Sequence, residues 1–348
     1  MAYSSITKPS DFFSTKLYAG NGSAGNAITG VGHQPDLVWL KQRTGTEYHN
    51  LYDALRGVTK RLVSNLNTAE VTLSGLTAFG TDGFTVGAAD TANQNSNNFV
   101  SWNWKAGTTG SGTTTGSGTG KAYSYSVSTT AGFSIVKYIG NGTSGHTIPH
   151  HLGVAPELII IKTTSSNFNW ISYHKPLGNT KSLALNYTSN AATSSNVWNN
   201  TTPTSSVFTV GSSGATNSNN INHIAYCFAP KTGYSIFGSY TGNGNDGDGT
   251  FIYTGFKPAF VIIKKTSATG NWILLDSKRS NNVNQSKLFP DTSGAENTDT
   301  GNGVDLLSNG FKCRRNNGET NEGGASYIYM AFAENPFTSS AGTPVTAR

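Results

Sequence analysis

Three copies of one pattern run through this chain of 348 residues. The motif Tyr-x-Gly-Asn-Gly occurs at residues 18–22, 138–142 and 240–244. Each copy is followed by an apolar run that begins with proline and ends with lysine, at residues 35–41, 156–162 and 258–264. Repetition of this kind means that one structural unit is built more than once. Any fold for this chain must therefore contain three similar units.

The spacing of later segments is equally regular. Each Pro-led run is followed, twelve residues after its lysine, by Asp53, His174 or Asp276. A second strand is expected before each of these residues, a third near residues 83–87, 207–211 and 310–313, and an aromatic closing strand at 99–105, 223–230 and 327–334. Short runs of branched and aromatic residues between Gly, Asn and Ser clusters predict buried strands.

Composition supports an all-β fold. Glycine accounts for 41 residues, and only 12% of the chain is charged, against roughly 25% in an ordinary soluble domain. We predict three tandem β-sandwich domains of about 100 residues each, at residues 11–106, 131–231 and 232–337. A solenoid is the alternative, although its repeats are usually shorter, at 20–50 residues.

The segments outside the units are polar and small. Residues 107–120 contain only Gly, Thr and Ser, which is typical of a flexible coil, and we predict a linker over 107–130. Units two and three, joined by a few residues, are expected to form a stiffer pair. Residues 1–10 and 338–348 are predicted to be terminal arms, free or docked on a neighbour.

Several function classes lack their sequence signals. The seven glutamates form no alternating carboxylate pair on an apolar strand, as a glycan-cleaving site would need. No serine has the Gly-x-Ser-x-Gly setting of a hydrolase elbow, and two cysteines cannot form a cysteine-based zinc site. The net charge of +6 lies on scattered residues, which argues against a nucleic-acid surface. No apolar run reaches membrane-spanning length, so no membrane insertion is expected.

Three places are candidate sites. Trp198 lies in a polar segment and has no counterpart in the other units, which makes it a candidate exposed contact for carbohydrate. The loop containing Asn243, Asn245, Asp246 and Asp248 offers alternating oxygen ligands suited to Ca²⁺, with a hairpin turn as the alternative. Residues 146–151 contain three histidines. His146 and His150 would share one face of a strand, but no third ligand for a metal is evident beside them, so we interpret the three as surface or turn residues.

The remaining aromatic and sulfur residues are expected to be structural. Trp102 and Trp104 alternate on one strand, and aromatic or large residues recur at the same places in the other units. Recurrence of this kind favours the sandwich core over a sugar-stacking surface. Cys227 and Cys313 lie in apolar runs and are predicted to pack as small hydrophobic residues.

Several of these motifs together resemble a family of virion structural proteins from marine tailed bacteriophages. They are the Tyr-x-Gly-Asn-Gly repeats, the Pro-led strands ending in lysine, Trp102-Asn103-Trp104 followed by Lys-Ala-Gly, and the closing Ala-Phe-Ala-Glu-Asn-Pro-Phe at 331–337. The resemblance covers residues 11–337. It implies tandem concanavalin A-like (lectin/glucanase-type) jelly-roll sandwiches, and it transfers no catalytic residue to this chain.

The expected function is therefore a non-enzymatic structural protein on the exterior of a tailed phage particle, as a tail fibre, spike or capsid decoration. Its expected partners are other virion proteins, and by analogy it forms a homotrimer. The alternative is a lectin-like module that recognises a host-surface glycan. The least favoured reading is a polysaccharide depolymerase, which would need carboxylates that meet across the fold.

Overall fold

A computed structural model describes residues 4–280, 283, 286–299 and 303–336 of the chain. This part is mostly β, with 27 strands in several sheets whose neighbouring strands pair antiparallel. Its helices are short: two 3-10 turns at Pro9–Asp11 and Lys175–Leu177, and α1 (Asp90–Asn93), α2 (Ser195–Trp198) and α3 (Gly214–Asn217). In the described residues no helix has the length and apolar character needed to cross a membrane.

The first repeat consists of one large and one small sheet. Its strands are β1 (Phe13–Ala19), β2 (Asn26–Thr29), β3 (Leu37–Gln42), β4 (Asn50–Asp53), β5 (Lys60–Val63), β6 (Val71–Thr72), β7 (Leu76–Gly80), β8 (Gly83–Val86) and β9 (Asn98–Trp104). The large sheet has the order β1-β9-β3-β4-β5-β6, and the small sheet has the order β2-β8-β7. The closing strand β9 therefore lies between β1 and β3.

The second repeat has the same plan with added strands. It contains β10 (Thr108–Thr113), β11 (Thr115–Gly116), β12 (Ala122–Ser128), β13 (Phe133–Ile139), β14 (His146–Pro149), β15 (Leu158–Thr163), β16 (Ile171–His174), β17 (Lys181–Ala184), β18 (Ala192–Thr193), β19 (Val207–Val210) and β20 (Asn222–Phe228). The large sheet has the order β10-β12-β13-β20-β15-β16-β17-β18, and the small sheet has the order β11-β14-β19.

The third repeat has the plainest sheets. Its strands are β21 (Ser235–Thr241), β22 (Phe251–Tyr253), β23 (Phe256–Lys265), β24 (Trp272–Asp276), β25 (Val304–Leu307), β26 (Gly310–Cys313) and β27 (Ser326–Pro336). They form the sheets β21-β27-β23-β24 and β22-β26-β25. In every repeat the four strands predicted from the repeated spacing are present, so this prediction is confirmed.

The central strands are buried on both faces, which explains their continuous apolar runs. Val38 and Leu40 on β3 point into a cluster between the large and small sheets of repeat 1, and repeats 2 and 3 have matching clusters. Trp39, between them, points the opposite way into a core that all three repeats share. Alternate side chains of one strand thus enter different cores because successive residues face opposite sides of a sheet.

The shared core has three aromatic rings at its centre, one from each closing strand. Trp104, Phe228 and Phe332 occupy the same register position on β9, β20 and β27. Their ring centroids are 5.8–6.4 Å apart. All three contacts are edge-to-face, which is favourable for aromatic rings at these distances. The three large sheets therefore surround one pseudo-threefold axis.

Backbone hydrogen bonds close the repeats into a ring through three equivalent contacts, which we call joints. In joint 1–2 the N–H of Glu70 donates to the carbonyl of Thr164 over 2.8 Å. The matching bonds are Ala191 N–H to Thr266 O in joint 2–3 and Glu296 N–H to Arg43 O in joint 1–3. The acceptors Arg43, Thr164 and Thr266 each lie two residues after the lysine of their repeat, so the joints have the same geometry.

Two predictions about organisation are wrong. Residues 107–130 are not a flexible linker, because β10 pairs with β12 over six residues and β12 pairs with β13 of the large sheet. Repeat 1 is also not separated from a stiffer pair, since all three repeats contribute to the shared core. Ordered pairing satisfies backbone groups that the composition alone suggested would stay in water.

Two further predictions are refined. Trp102 and Trp104 are buried, as expected, but in the shared core rather than between the two sheets of repeat 1. The predicted arm at 1–10 is docked rather than free over its described part, because Ile6 is 2% exposed and belongs to the shared core. The predicted tail at 338–348 lies outside the described residues.

Candidate functional site

The repeated Tyr-x-Gly-Asn-Gly motif builds a loop, and its polar atoms bond within the protein. The hydroxyl of Tyr138 donates to the carbonyl of Thr216 over 2.6 Å, and the side-chain oxygen of buried Asn217 accepts from the backbone N–H of Asn141. Tyr18 with Asn93 and Tyr240 with Asn321 make the same contacts. The motif is therefore structural in each repeat.

The first glycine of the motif is required by close packing. A Cβ atom on Gly140 would lie 2.3 Å from the carbonyl oxygen of Ser218, and Gly20 and Gly242 meet backbone oxygens at 2.2 and 2.3 Å. Backbone at that distance cannot move aside cheaply. These positions exclude every other residue type for steric reasons.

The lysine that ends each Pro-led strand is fully buried. The Nζ of Lys41 donates to the carbonyls of Gln42 and Gly45, and that of Lys162 to the matching carbonyls of Thr163 and Ser166. The Nζ of Lys264 donates to Gly270 in its own loop and to Thr188 of repeat 2. Burial lowers the pKa of Lys41 and Lys264 to about 8 and that of Lys162 to about 7. Each amine thus fastens the loop that follows its strand.

Two joints contain a buried ionic triad that receives a ring from the next repeat. In joint 1–2, Asp53 pairs with Arg56 at 2.5 Å, Arg56 also pairs with Glu70, and the hydroxyl of Tyr226 donates to Asp53 over 2.8 Å.

In joint 1–3, Asp276 pairs with Arg279 at 2.5 Å, Arg279 pairs with Glu296, and the indole N–H of Trp102 donates to Asp276 over 3.0 Å. Breaking one partner of such a buried pair is costly, because a charge is left without compensation. The triads therefore position the repeats against each other.

One carboxyl has a strongly shifted pKa. Burial raises the pKa of Asp291 to about 7, with a smaller contribution in the same direction from the charge of Glu319. The Oδ1 atom of Asp291 accepts the backbone N–H of Trp272 over 3.1 Å. The side-chain amides of Asn65 and Asn186 accept the equivalent N–H groups in the other repeats. Asp291 therefore occupies a structural position rather than one of a catalytic pair.

The prediction that the histidines of residues 146–151 are surface or turn residues is wrong for His146 and His150, whereas His151 is partly exposed and has a left-handed backbone conformation, with a φ of 59°. His146 and His150 are fully buried. The ring of His146 hydrogen-bonds to Asn217 and Thr114, and the Nε2 of His150 to the carbonyl of Thr204. Burial lowers the pKa of His150 to about 4. Among the described residues, no group of three or more His, Cys, Asp and Glu side chains is placed to hold a metal.

The predicted calcium loop is tied down by protein contacts. Asn243 donates from Nδ2 to the carbonyl of Asp248, and its Oδ1 accepts the N–H of Asn245. A carboxylate oxygen of Asp246 accepts the N–H of Asn316, and Asp248 pairs with Lys312 at 2.5 Å. The loop joins β21 of the large sheet to β22 of the small sheet, so it is not a hairpin, and calcium binding at this loop stays a prediction.

The prediction that Trp198 is an exposed contact is wrong. Trp198 ends α2, is 1% exposed and packs edge-to-face on Tyr173 with ring centroids 5.7 Å apart. Ser194 caps the start of this short helix and Asn199, in the left-handed conformation, ends it, and the indole points inward into the core of repeat 2. An apolar ring in a polar segment is stabilised by this burial. Cys227 and Cys313 are buried as predicted.

An exposed aromatic pair was missed by the sequence reasoning. Phe251 and Tyr253 lie two residues apart on β22, are 43% and 58% exposed, and flank the buried Ile252. They share one outward face because alternate residues of a strand face the same side. Lys312 is the cross-strand neighbour of Phe251, so its ion pair with Asp248 lies beside the two rings.

Comparison of the repeats isolates this pair. The positions that match Phe251 and Tyr253 carry Ala27 and Thr29 in repeat 1, and Thr147 and Pro149 in repeat 2. Only the third repeat has aromatic rings there. Alignment of the three short strands would have given this signal from the sequence, because each follows its Gly-Asn-Gly loop closely. The outer face of β22 is therefore the best candidate for a surface contact in the described residues.

Comparison with known proteins identifies one family. A family model described as a domain of unknown function, DUF7483, matches residues 8–336 and thus spans all three repeats in a single match. The searches of curated proteins and of solved structures found no match.

Proposed function

Since the chain belongs to the DUF7483 family, whose description names no activity, we propose a function from the chain itself: a non-enzymatic structural protein on the exterior of a tailed phage particle. A tail fibre, a spike or a capsid decoration is the proposed place. The observation that carries the proposal is the closed ring. The recurring charged and aromatic residues of the repeats bond to one another and hold the repeats together.

The surface chemistry supports the same proposal. A chain with 12% charged residues depends little on exposed ion pairs, which salt screens within about 10 Å at 0.1 M. Its two ionic triads are buried in the joints, where salt screens them much less. A rigid ring that holds its shape in changing salt suits a protein on the outside of a particle.

We propose the finer architecture and partners on the same basis. Each repeat, with a large and a small antiparallel sheet around its own cluster, is proposed to be a jelly-roll sandwich of the concanavalin A-like type. The proposed partners are other virion proteins, and the proposed assembly is a homotrimer. Measurement of the molecular mass in solution tests the assembly. A mass of 36.7 kDa, that of one chain, would contradict the homotrimer and would mean that the chain acts alone with its internal threefold arrangement.

Antibody labelling of intact particles under negative-stain electron microscopy tests the location. Label on tails, fibres or capsids is the expected result. No label on intact particles, together with no band on blots of denatured particles, contradicts the proposal. Release of reducing sugar from host polysaccharide by the purified chain would contradict its non-enzymatic character.

A second candidate function, recognition of a host-surface glycan, is favoured by the aromatic pair on β22. Two exposed rings on one face can stack on the apolar faces of sugar rings, while the neighbouring ion pair of Lys312 and Asp248 offers hydrogen bonds to hydroxyl groups. This face replaces Trp198 as the proposed carbohydrate contact.

A double variant tests the glycan proposal. We expect Phe251→Ala with Tyr253→Ala to reduce binding to host-surface glycan at least tenfold without changing the melting temperature by more than a degree or two, because both rings are exposed. Tyr187→Ala, at a 48% exposed tyrosine of repeat 2, is the matched control and should bind like the wild type. Equal losses in the control, or no saturable binding by the wild type, would reject the glycan function.

A further inference from the structure

Joint 2–3 differs in composition from the other two joints. The buried aspartate and arginine of joints 1–2 and 1–3 are replaced by His174 and Leu177, and the glutamate by Ala191. The ring donor that Tyr226 or Trp102 supplies elsewhere is replaced by Met330, whose side chain has no hydrogen-bond donor. This joint therefore lacks both the ionic triad and the donor that reaches it.

A small cavity lies at this joint. Its volume is about 10 Å³, and its lining residues are all buried, among them Ser172, His174, Trp272, Tyr329 and Met330. Ser172 takes the position that Leu51 and Leu274 fill in the other repeats. The shorter serine side chain accounts for space that leucine occupies elsewhere.

Two polar atoms on this face have no protein partner among the described residues. They are the Oγ of Ser172 and the Nδ1 of His174, and both side chains are at most 2% exposed. Both belong to β16, two residues apart on the face that meets the cavity. Buried polar atoms in native proteins normally find a partner, which is often an ordered water.

The hydrogen bond made by Nε2 of His174 determines which kind of partner its Nδ1 requires. Its Nε2 lies 3.1 Å from the carbonyl oxygen of Tyr329. A carbonyl can only accept, so the proton of the neutral ring is on Nε2, and Nδ1 is an acceptor that requires a donor. The lining residues of the cavity include no charged side chain, which leaves an uncharged donor as the matching ligand.

We propose that a single water molecule occupies this cavity and bridges the Nδ1 of His174 and the Oγ of Ser172. It donates one hydrogen to Nδ1 and exchanges a second hydrogen bond with the serine hydroxyl. A volume near 10 Å³ is about the space that a single water needs, and the two polar atoms meet the minimum number of partners that a buried water requires. The water supplies joint 2–3 with the donor that Tyr226 and Trp102 supply at the other joints.

A high-resolution crystal structure of the full wild-type chain near pH 7.5 tests this proposal. We expect an ordered solvent peak within about 3.2 Å of both Ser172 Oγ and His174 Nδ1. Absence of a peak, or a peak that contacts only one of the two atoms, overturns the proposal. This measurement needs no variant, so it stands if a substituted chain fails to fold.

Ser172→Leu gives the matched comparison, because leucine is the residue that the other two repeats carry at this position. The same experiment on this variant is expected to show complete loss of the solvent peak with the ring of His174 unmoved. Retention of the peak would show that Ser172 does not hold the water and would contradict the bridge. Ser134→Ala is the control: its buried, unpartnered hydroxyl lies on β13, outside the cavity lining, and the peak should be retained.

Discussion

Asp291 makes the protein less stable as the pH rises, and one substitution should remove this loss of stability. With a pKa of about 7 when folded, this carboxyl keeps its proton over a range where the unfolded chain has lost it. Between about pH 4 and pH 7 the folded state therefore binds more protons, so the contribution of Asp291 to the free energy of unfolding falls as pH rises. Asp291→Asn should raise the free energy of unfolding at pH 8 by about 2–4 kcal/mol.

Urea unfolding of both proteins at pH 5 and pH 8 measures this effect. The gain should be smaller at pH 5 than at pH 8, because the contribution of Asp291 to the free energy of unfolding falls across the whole range from about pH 4 to pH 7. Asn186→Asp is the reciprocal control, because Asn186 accepts the equivalent backbone N–H in repeat 2. It should introduce a new fall in the free energy of unfolding as the pH rises above about 4, where an aspartate of the unfolded chain ionises. A gain from Asp291→Asn that is equal at both pH values would contradict the assigned pKa.

At the scale of the elements, the Gly-Asn-Gly loops are held by one buried amide each. In repeat 2 the Nδ2 of Asn217 donates to the carbonyls of Thr143 and Gly211, while its Oδ1 accepts from Asn141. Asn217→Ala leaves these groups buried without partners, at about 1–3 kcal/mol for each. We expect a total loss of about 3–5 kcal/mol in the free energy of unfolding, measured by urea denaturation. Asn219→Ala, at an exposed position, should change it by less than about 0.5 kcal/mol, and equal effects would contradict the role of Asn217.

The strands of each repeat could be predicted because their spacing recurs, whereas β10 and β12 were missed. β10 contains only Gly, Ser and Thr and carries no apolar alternation. β12 does alternate, with Tyr123, Tyr125 and Val127 between serines, and the prediction of a linker over 107–130 passed over this pattern. What orders them is cross-strand contact: the ring of Tyr125 lies over Gly110 and that of Tyr123 over Gly112, where any Cβ atom would lie within 3 Å of the ring. Composition reports the glycines but not the tyrosines opposite them, so it indicated a coil.

The candidate site shows a similar division. The prediction for Trp198 failed because a helix of four residues has too few positions for any periodicity, so nothing in the sequence told which way the indole points. Phe251 and Tyr253 were within reach of sequence reasoning, since the third repeat alone has rings at these positions. Internal repeats thus act as controls for each other: a residue that differs at one matched position marks a place where a repeat does something the others do not.

At the scale of the whole molecule, the ring of three repeats could not be predicted from the sequence. The alternation of side chains along a strand shows that both faces are buried, but not which core each face enters. Strand β3 is buried along its whole length, and nothing in its letters says that Trp39 enters a core shared with other repeats while Val38 does not. The shared core requires three large sheets to meet, which is a property of all three repeats together. The same feature makes the repeats depend on one another for burial.

This dependence leads to a prediction about unfolding. Trp104 contacts Phe228 of repeat 2 and both Phe260 and Phe332 of repeat 3, with ring centroids 5.5–6.4 Å away. Trp104→Ala should lower the free energy of unfolding by about 3–5 kcal/mol. Because the lost contacts belong to a core shared by all repeats, the variant should still unfold in one transition.

Amide hydrogen exchange followed by mass spectrometry distinguishes cooperative unfolding of the whole ring from independent unfolding of each repeat. In the variant, the most protected strands of all three repeats, including β9, β20 and β27, should exchange faster by a similar factor, since each opens only with the whole ring. Tyr253→Ala, at a surface position, should leave these rates unchanged. Faster exchange confined to residues 11–106 would mean that repeat 1 unfolds alone, and the ring would then be a contact between separately stable units rather than one cooperative fold.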